Sequence, residues 1–388
     1  MTVMRVTDLV ARNGREWDDG PEVKIAGRSL NGGRHTRTIT GTRPYFFVAA
    51  DQHVPEHDAL IRTDDGYCSY DGVDLTKLVM EQPRDVGSFR EEFEKTYEAD
   101  VPFNRRISID FGLTGYVDVP EQASSAHYSA VDTDIDEAEI DPVEPRALIA
   151  DIETLPPEDG NFDDYTENAE EPVLAICFYD TYNDDYTLIV NDDDGRADPK
   201  AIRRYIKSHW AGHQYEELYA DAEIRYISCE NEIDLLNRFI DEVCYRRPDL
   251  WSGWNFQDFD AEYLLERMTK FGDAVDRNDL SDIGYVGGYR SAQLIDGVPA
   301  FDMMQSFCDT MVFSEFRSQA LDYVADQELD VGKMPDVSIG KEYRENRSRL
   351  FAYNAIDVML TVAIDKKHGI HEFIYQLADL AGVQVYDV

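Results

Sequence analysis

The chain has 388 residues, 43% of them apolar, which suits two or three globular domains and excludes a disordered chain. It carries 37 basic and 79 acidic residues, a formal charge of −42, which opposes non-specific binding to polyanions at low salt. No apolar run reaches about 18 residues and the N-terminal MTVMRVTDLVARNGREW lacks an apolar signal core, so the expectation is a cytoplasmic chain without membrane contact.

The acid is spread along the whole chain rather than gathered in a tail, which fits a halophile with a salt-filled cytoplasm. At molar salt the Debye length is about 3 Å, so self-repulsion is screened and counterion release adds little to DNA binding. The five cysteines (Cys68, Cys177, Cys229, Cys244, Cys308) form no CxxC pair. That speaks against a zinc site or a disulfide framework and predicts reduced cysteines in the core.

Residues 1–118 read as a strand-rich mixed α/β domain. EVKIAGRSL and HTRTITGTRPYFFVAA are predicted strands around the turn NGG, and GSFREEFEKTYEAD is a predicted helix. Residues 119–145 are acidic and aperiodic, an expected linker. Within it Val131-Asp132-Thr133-Asp134 contains an Asp-Thr-Asp that reads as solvated charge. From 146 to 366 strands and helices alternate, which predicts an α/β layered domain. ALIADIET, PVLAICFYD and YTLIVN read as three neighbouring strands, IRYIS and DLWSGWN as two more. NEIDLLNRFIDEVCYRR places Ile233, Leu235, Leu236, Phe239, Ile240 and Val243 on one helical face, ended by Pro248. AEYLLERMTKF, SRLFAYNAIDVMLTVAIDKK and HEFIYQLADLAGV are further helices, and residues 273–300 are predicted loops or a hairpin. Residues 367–388 form a C-terminal helical segment, expected to pack back toward the N-terminal domain.

Asp151 and Glu153 are two apart on a predicted strand, so their carboxylates share one face. Buried together they need a cation, and a divalent ion is the usual partner. In a chain this acidic, acid-x-acid arises by chance on the order of fifteen times, so the apolar flanks of ALIADIET carry the weight. Asp260 stands where a loop meets a helix, in GWNFQDFDAEYLLERM, with Asn255 and Phe259 beside it. A helix N-cap and a site carboxylate are both open readings there. Tyr353 and Asp357 are four apart in a long helix and share one face. An Asp inside an apolar helix needs a partner.

In this order, Asp-x-Glu, Asn-x3-Phe-Asp and Tyr-x3-Asp resemble the three exonuclease motifs of family-B DNA polymerases. TRPYFFVA, YEADVPFNRRISIDFGLTG, FDMMQSF and QALDYVADQEL also resemble segments of that family, so the similarity covers essentially the whole chain. The resemblance implies an RNase H-like exonuclease domain with a mixed central sheet flanked by helices. It implies that Asp151, Glu153, Asp260 and Asp357 hold two Mg²⁺ or Mn²⁺ ions, with Tyr353 orienting a water. The substrate would be single-stranded or frayed primer-template DNA, degraded from its 3′ end. Trp254 and Phe259 are candidates for stacking on a terminal base and Asn255 for a polar contact, with core packing the other reading of Trp254.

Palm motifs of the family, an SLYPS-like segment and a Tyr-x-Asp-Thr-Asp, are absent from their expected place. A stand-alone nuclease, the N-terminal part of a split polymerase with its palm on another chain, and a fragment all remain open; a sliding clamp is a further possible partner. In archaeal members the N-terminal domain reads uracil in the template. Pro44, Pro83, Val86, Phe103 and Arg106 match that pocket's pattern, with ordinary packing as the other reading.

Overall fold

In the computed structural model, residues 2–12, 20–113, 115–119, 123–124, 129–130, 143–157, 160, 162, 164–287, 295–311, 316–385 and 388 are described. The chain divides into two compact units, Met1–Val143 with Ala378–Gln384, and Glu144–Leu377 with Val385–Val388.

In the first unit β1 (Thr2–Arg12), β2 (Glu22–Ser29) and β3 (Arg34–Thr40) are antiparallel neighbours. β1 is an addition to the expected elements. The turn between β2 and β3 uses Gly32 at φ 82°, a conformation open to glycine. β4 (Tyr45–Ala49), β5 (Leu60–Cys68) and β6 (Asp74–Met80) belong to a second sheet. Alternation in β4 buries Phe46 and Val48, while Tyr45 and Phe47 stay half-buried on the other face.

The helix expected over GSFREEFEKTYEAD is corrected. α1 starts earlier, at Pro83–Phe89, where the Asp85 carboxylate accepts from the Gln82 N–H at 2.9 Å. A single 3₁₀ turn, Arg90–Glu92, follows, and Thr96–Tyr97 becomes β7, an edge strand paired with β4. Two forces break the helical pattern. Phe89 and Phe93 both pack edge-on against Phe46, and the free edge of β4 takes a β-branched and an aromatic residue.

α2 (Phe103–Phe111) closes the core of the first sheet through Ile107, beside Met4, Leu9, Val23, Ile25 and Ile39. β8 (Tyr116–Val119), β9 (Ala123–Ser124) and β10 (Ser129–Ala130) complete that sheet in the order β10-β8-β1-β2-β3-β9. Part of the expected linker is therefore strand. Its Asp132-Thr133-Asp134 lies outside the described residues.

The second unit is built on β11 (Ala147–Thr154), followed by a short helix α3 (Tyr165–Asn168), β12 (Val173–Asp180) and β13 (Asp185–Asn191). A crossover through α4 (Pro199–Trp210) and the turn α5 (Glu216–Tyr219) leads to β14 (Ile224–Cys229). Then come α6 (Glu232–Arg246), β15 (Leu250–Gly253), α7 (Glu262–Thr269), β16 (Ala300–Asp302) and the turn α8 (Met303–Gln305). α9 (Leu321–Leu329), α10 (Ile339–Glu345), α11 (Arg347–His368) and α12 (Ile370–Ala381) follow.

The mixed sheet runs β14-β13-β12-β11-β15-β16, with β12 antiparallel to both its neighbours. The three expected neighbours are adjacent as read, and the fold is the RNase H-like α/β layer expected from the motifs. α6 covers one face, where Leu235, Leu236, Phe239, Ile240 and Val243 meet Leu148, Ala150 and Ile152 of β11. Ile233 is the exception to its expected face and points to solvent, 37% exposed. α11 packs on β11 and β12, and is buried nearly all round, as a helix apolar on every side must be. Arg146 and Arg246 both bond Asp180, a fully buried carboxylate at the end of β12. The cysteine expectation holds for Cys177, Cys229 and Cys308; Cys68 and Cys244 are exposed, and all five are free.

Candidate active site

Alternation along β11 sends Leu148, Ala150 and Ile152 into the α6 core. Asp151 and Glu153 therefore project from the opposite face, toward α11. There Asp357, one turn after Tyr353, meets them. Ligand oxygens of Asp151, Glu153 and Asp357 all lie within 4.8 Å of one another. Glu153 and Asp357 are buried, while Asp151 keeps part of its surface open.

Burial, and then the charge of Asp357, push the Asp151 carboxyl up to about 7, against the pull of Lys333 and Asn354. Burial and Asp151 raise Glu153 well above the ordinary carboxylate range. Asp357 is raised by burial too, partly offset by the Lys333 ammonium. Its Oδ1 is buried without a hydrogen-bond partner. Three clustered acids with an orphaned oxygen fit a hard divalent cation, which takes oxygen ligands and relieves the repulsion.

Asp260 does not cap a helix. It sits inside a π-helical segment, Phe256–Ala261, entered through Asn255 at φ 57°. Its Oδ1 accepts from the Ile152 N–H at 3.0 Å, which ties this segment to β11 between the two site acids. Asp260 stands beside the three-carboxylate group, near enough that the Asp151 charge adds to burial in raising it. β15 approaches β11 so closely that a Cβ on Gly253 would lie 2.3 Å from the Ala150 carbonyl oxygen, so only glycine fits there.

Three side chains escaped the motif reading. Lys333 follows α9 in the loop DVGKMPD and donates to Asp357 Oδ2 at 2.7 Å and to the Tyr353 hydroxyl at 3.3 Å. Burial alone would lower its pKa, but Asp357 and Asp151 outweigh burial and hold it cationic. Asp322 anchors this loop by accepting from the Lys333 backbone N–H at 2.7 Å. A Cβ at Gly332 would sit 2.5 Å from the same carboxylate oxygen. Asn354, next to Tyr353, donates to Asp151 Oδ2 at 2.7 Å. The one sequence signal for Lys333 is a lone lysine after glycine between acidic stretches.

Phe259 is half-buried and forms an array with Tyr165 and Tyr263, with ring centroids 6.2 Å from each. Trp254 is buried, and its Nε1 donates to the Gln319 carbonyl at 2.8 Å, so its ring belongs to the packing. Asn255 donates its backbone N–H to Asp302 at 3.2 Å. In the first unit Pro44, Pro83, Val86, Phe103 and Arg106 line a single cleft of about 210 Å³, together with Tyr45. Arg106 is held there by Glu98 at 2.7 Å and lies over the Tyr45 ring.

Residues 94–324 match the family described as DNA polymerase family B, exonuclease domain. The chain belongs to this family. It is 27% identical over 221 residues to the DNA-directed DNA polymerase of Enterobacteria phage T4, covering 54% of this chain and 24% of the phage protein. For the DNA-directed DNA polymerase of Escherichia phage RB69 the identity is 26% over 231 residues, 57% of this chain and 26% of that protein. For the DNA polymerase of Thermococcus kodakarensis it is 25% over 326 residues, 81% of this chain and 16% of that protein. The chain thus spans about a quarter or less of the length of these relatives. The family-B match contains Asp151, Glu153 and Asp260; Lys333, Tyr353 and Asp357 lie beyond it and join the site through the fold. Among the described residues no helix is long and apolar enough to cross a membrane.

Proposed function

We propose that this chain is a divalent-metal-dependent 3′→5′ DNA exonuclease of the proofreading type, the editing part of an archaeal family-B polymerase. The observation that carries the reading is the convergence of Asp151, Glu153 and Asp357 within 4.8 Å, on a scaffold of the family's exonuclease domain. Asp151, Glu153 and Asp357 would hold two Mg²⁺ or Mn²⁺ ions, with Asp260 completing the set. Bound ions supply Lewis acidity for the attacking water and for the departing 3′ oxygen.

The chain's own groups do the rest. Burial and the Asp357 charge hold the Tyr353 hydroxyl protonated, so it serves as a neutral donor that orients the water. Lys333 stays cationic and offsets the negative charge that grows on the phosphate. Asn354 fixes the Asp151 carboxylate, and Asp260 fixes the strand between the two β11 acids through the Ile152 N–H. In the reaction a water oxygen bonds to the terminal phosphorus and the bond from phosphorus to the preceding 3′ oxygen breaks. The proton lost by water appears on the leaving oxygen or in solvent, and a nucleoside 5′-monophosphate is released. A frayed single strand is the cheaper substrate, because no base pairs must be broken. Phe259 and its aromatic neighbours offer a stacking surface for it.

The test is incubation with 5′-labelled single-stranded DNA and Mg²⁺ or Mn²⁺ at high KCl. Stepwise loss from the 3′ end, abolished by Asp151→Ala, supports the reading; no cleavage with either ion sinks it.

A second reading, a DNA-binding and uracil-sensing module of a split polymerase with a separate palm chain, is favoured by one observation. The five pattern residues share one cleft with apolar walls and an arginine. Tighter binding of uracil- than thymine-containing strands, lost in Val86→Trp, is the expected result. Equal affinity for both strands removes this reading.

A further inference from the structure

The crossover between β13 and β14 carries a patch of charge opposite to the rest of the chain. α4, PKAIRRYIKSHW, has Lys200, Arg203, Arg204 and Lys207 and no acid. With 79 acids in 388 residues, twelve residues would hold roughly two or three. The four cations recur three or four positions apart, so they form one ridge of the helix. All four are exposed, whereas Ile202, Ile206 and Trp210 are buried on the other side.

The ridge is not spent on holding the fold together. Lys200 and Arg203 form no ion pair among the described residues. Arg204 reaches Asp198 only at 3.7 Å, and Lys207 meets Asp221 at 2.8 Å with both partners exposed; such pairs contribute little. The ridge borders a cleft of about 400 Å³ whose other wall runs from Ala220 to Ile224 and includes Asp221 and Glu223.

Its position is tied to the site. Tyr205 of α4 accepts from Asn346 Nδ2 at 2.9 Å, and the Asp198 N–H at its start donates to Ser348 Oγ at 2.8 Å. Asn346 caps α11 and Ser348 lies in it, the helix that carries Tyr353 and Asp357. The sheet register sets Asp151 level with Tyr226, through Cys177 and Leu188. β14, whose Ile224 shares the cleft with the ridge, is three strand spacings from β11, roughly 14 Å, a scale that a few nucleotides of extended strand cover.

We propose that the basic ridge of α4 is a phosphate track for the single strand whose 3′ end enters the carboxylate cluster. A nucleic-acid strand is favoured over an acidic protein because the ridge bears no exposed apolar side chain. A protein interface needs a desolvated apolar or aromatic centre. Long cationic side chains rooted at Cβ positions about 5–6 Å apart, two of them arginine forks, suit successive phosphates instead. The direction of the strand rests on the exonuclease reading; the binding does not.

The experiment uses the full chain, wild type and Lys200→Gln/Arg203→Gln/Arg204→Gln, with thermal unfolding to verify that the exposed changes leave the fold intact. Binding of a labelled oligothymidylate about 16 nucleotides long is followed by anisotropy in EDTA across a KCl series. The expected result is about tenfold weaker binding at low salt, and a plot of log affinity against log salt that is flatter by about two. With Mn²⁺, KM for this strand should rise at unchanged kcat, while hydrolysis of a dinucleotide stays the same. Weaker binding by the variant, beside a wild type that binds the strand but cleaves nothing, would end the exonuclease reading and leave the track standing. Unchanged affinity, slope and KM would overturn the track and leave the nuclease. Absence of any strand binding by the wild type would overturn it as well. So would an effect confined to polyglutamate, which would mark an acidic protein as the partner.

Discussion

Asp151→Asn separates the electrostatics of the site from its chemistry. Burial and Asp357 raise the Asp151 carboxyl from 3.8 to about 7, which corresponds to about 4 kcal/mol against the ionised form. Asp151 retains some solvent contact, so about half of that, ~2 kcal/mol, is the realistic magnitude. The folded carboxyl holds its proton more tightly than the unfolded one. The penalty is therefore absent below the unfolded pKa, grows between about pH 4 and pH 7, and is full above. In EDTA at pH 8 the neutral amide should raise the melting temperature of the exonuclease unit by about 4–8 °C, and the gain should fade toward pH 4.5. Its carbonyl can still accept from Asn354 Nδ2. Excess Mg²⁺ or Mn²⁺ should narrow the gap, because an ion at a hundred times its Kd stabilises the wild type by about 2.7 kcal/mol and the variant by less; a variant gain below about 0.7 kcal/mol reverses the order. Calorimetry or dye-monitored melting at the two pH values, with and without ion, measures all of this. No gain in EDTA at pH 8, or equal stabilisation of both proteins by the ion, would refute the reasoning.

Asp357→Ala should reduce 3′-end hydrolysis by about 10³-fold or more while strand affinity in EDTA stays within about threefold, measured by single-turnover cleavage and anisotropy. Lys333→Met should lower kcat by about 10²-fold without changing the fold. Asp322→Ala should lower kcat by a smaller factor, since Asp322 acts only by holding the Lys333 backbone; restoration of the rate by Asp322→Asn would identify the lost hydrogen bond as the cause. Arg246→Met leaves Asp180 with Arg146 as its one cation among the described residues, beside the Tyr182 N–H, and should cost about 3 kcal/mol in urea unfolding. Burial tends to raise the Asp180 carboxyl, but its bonds to Arg146 and Arg246 outweigh this and hold it below the ordinary range. Stability from Asp180 is thus present above the unfolded pKa and lost as pH falls through the folded one, a loss the variant should show less of.

Elements whose pattern is local were legible in the order of the amino acids. Period two in ALIADIET and the apolar runs of PVLAICFYD and YTLIVN were enough for three adjacent strands. Period 3.6 marked α6, and the i, i+4 spacing put Tyr353 and Asp357 on one face of α11. Where two long-range demands compete, local pattern fails: GSFREEFEKTYEAD reads as helix, yet the core under Phe46 and the edge of β4 break it. Asp260 shows the same limit, because an aspartate before a helix looks like a cap until its partner, the Ile152 N–H on another element, is known. Buried packing settled Trp254, and the fold alone brought Lys333, 24 residues before Asp357, into contact with it. Carboxylates can be found in sequence because their spacing on a strand or helix is periodic. The loop cation and the hydrogen bonds that aim those carboxylates have no period, and only tertiary structure decides them.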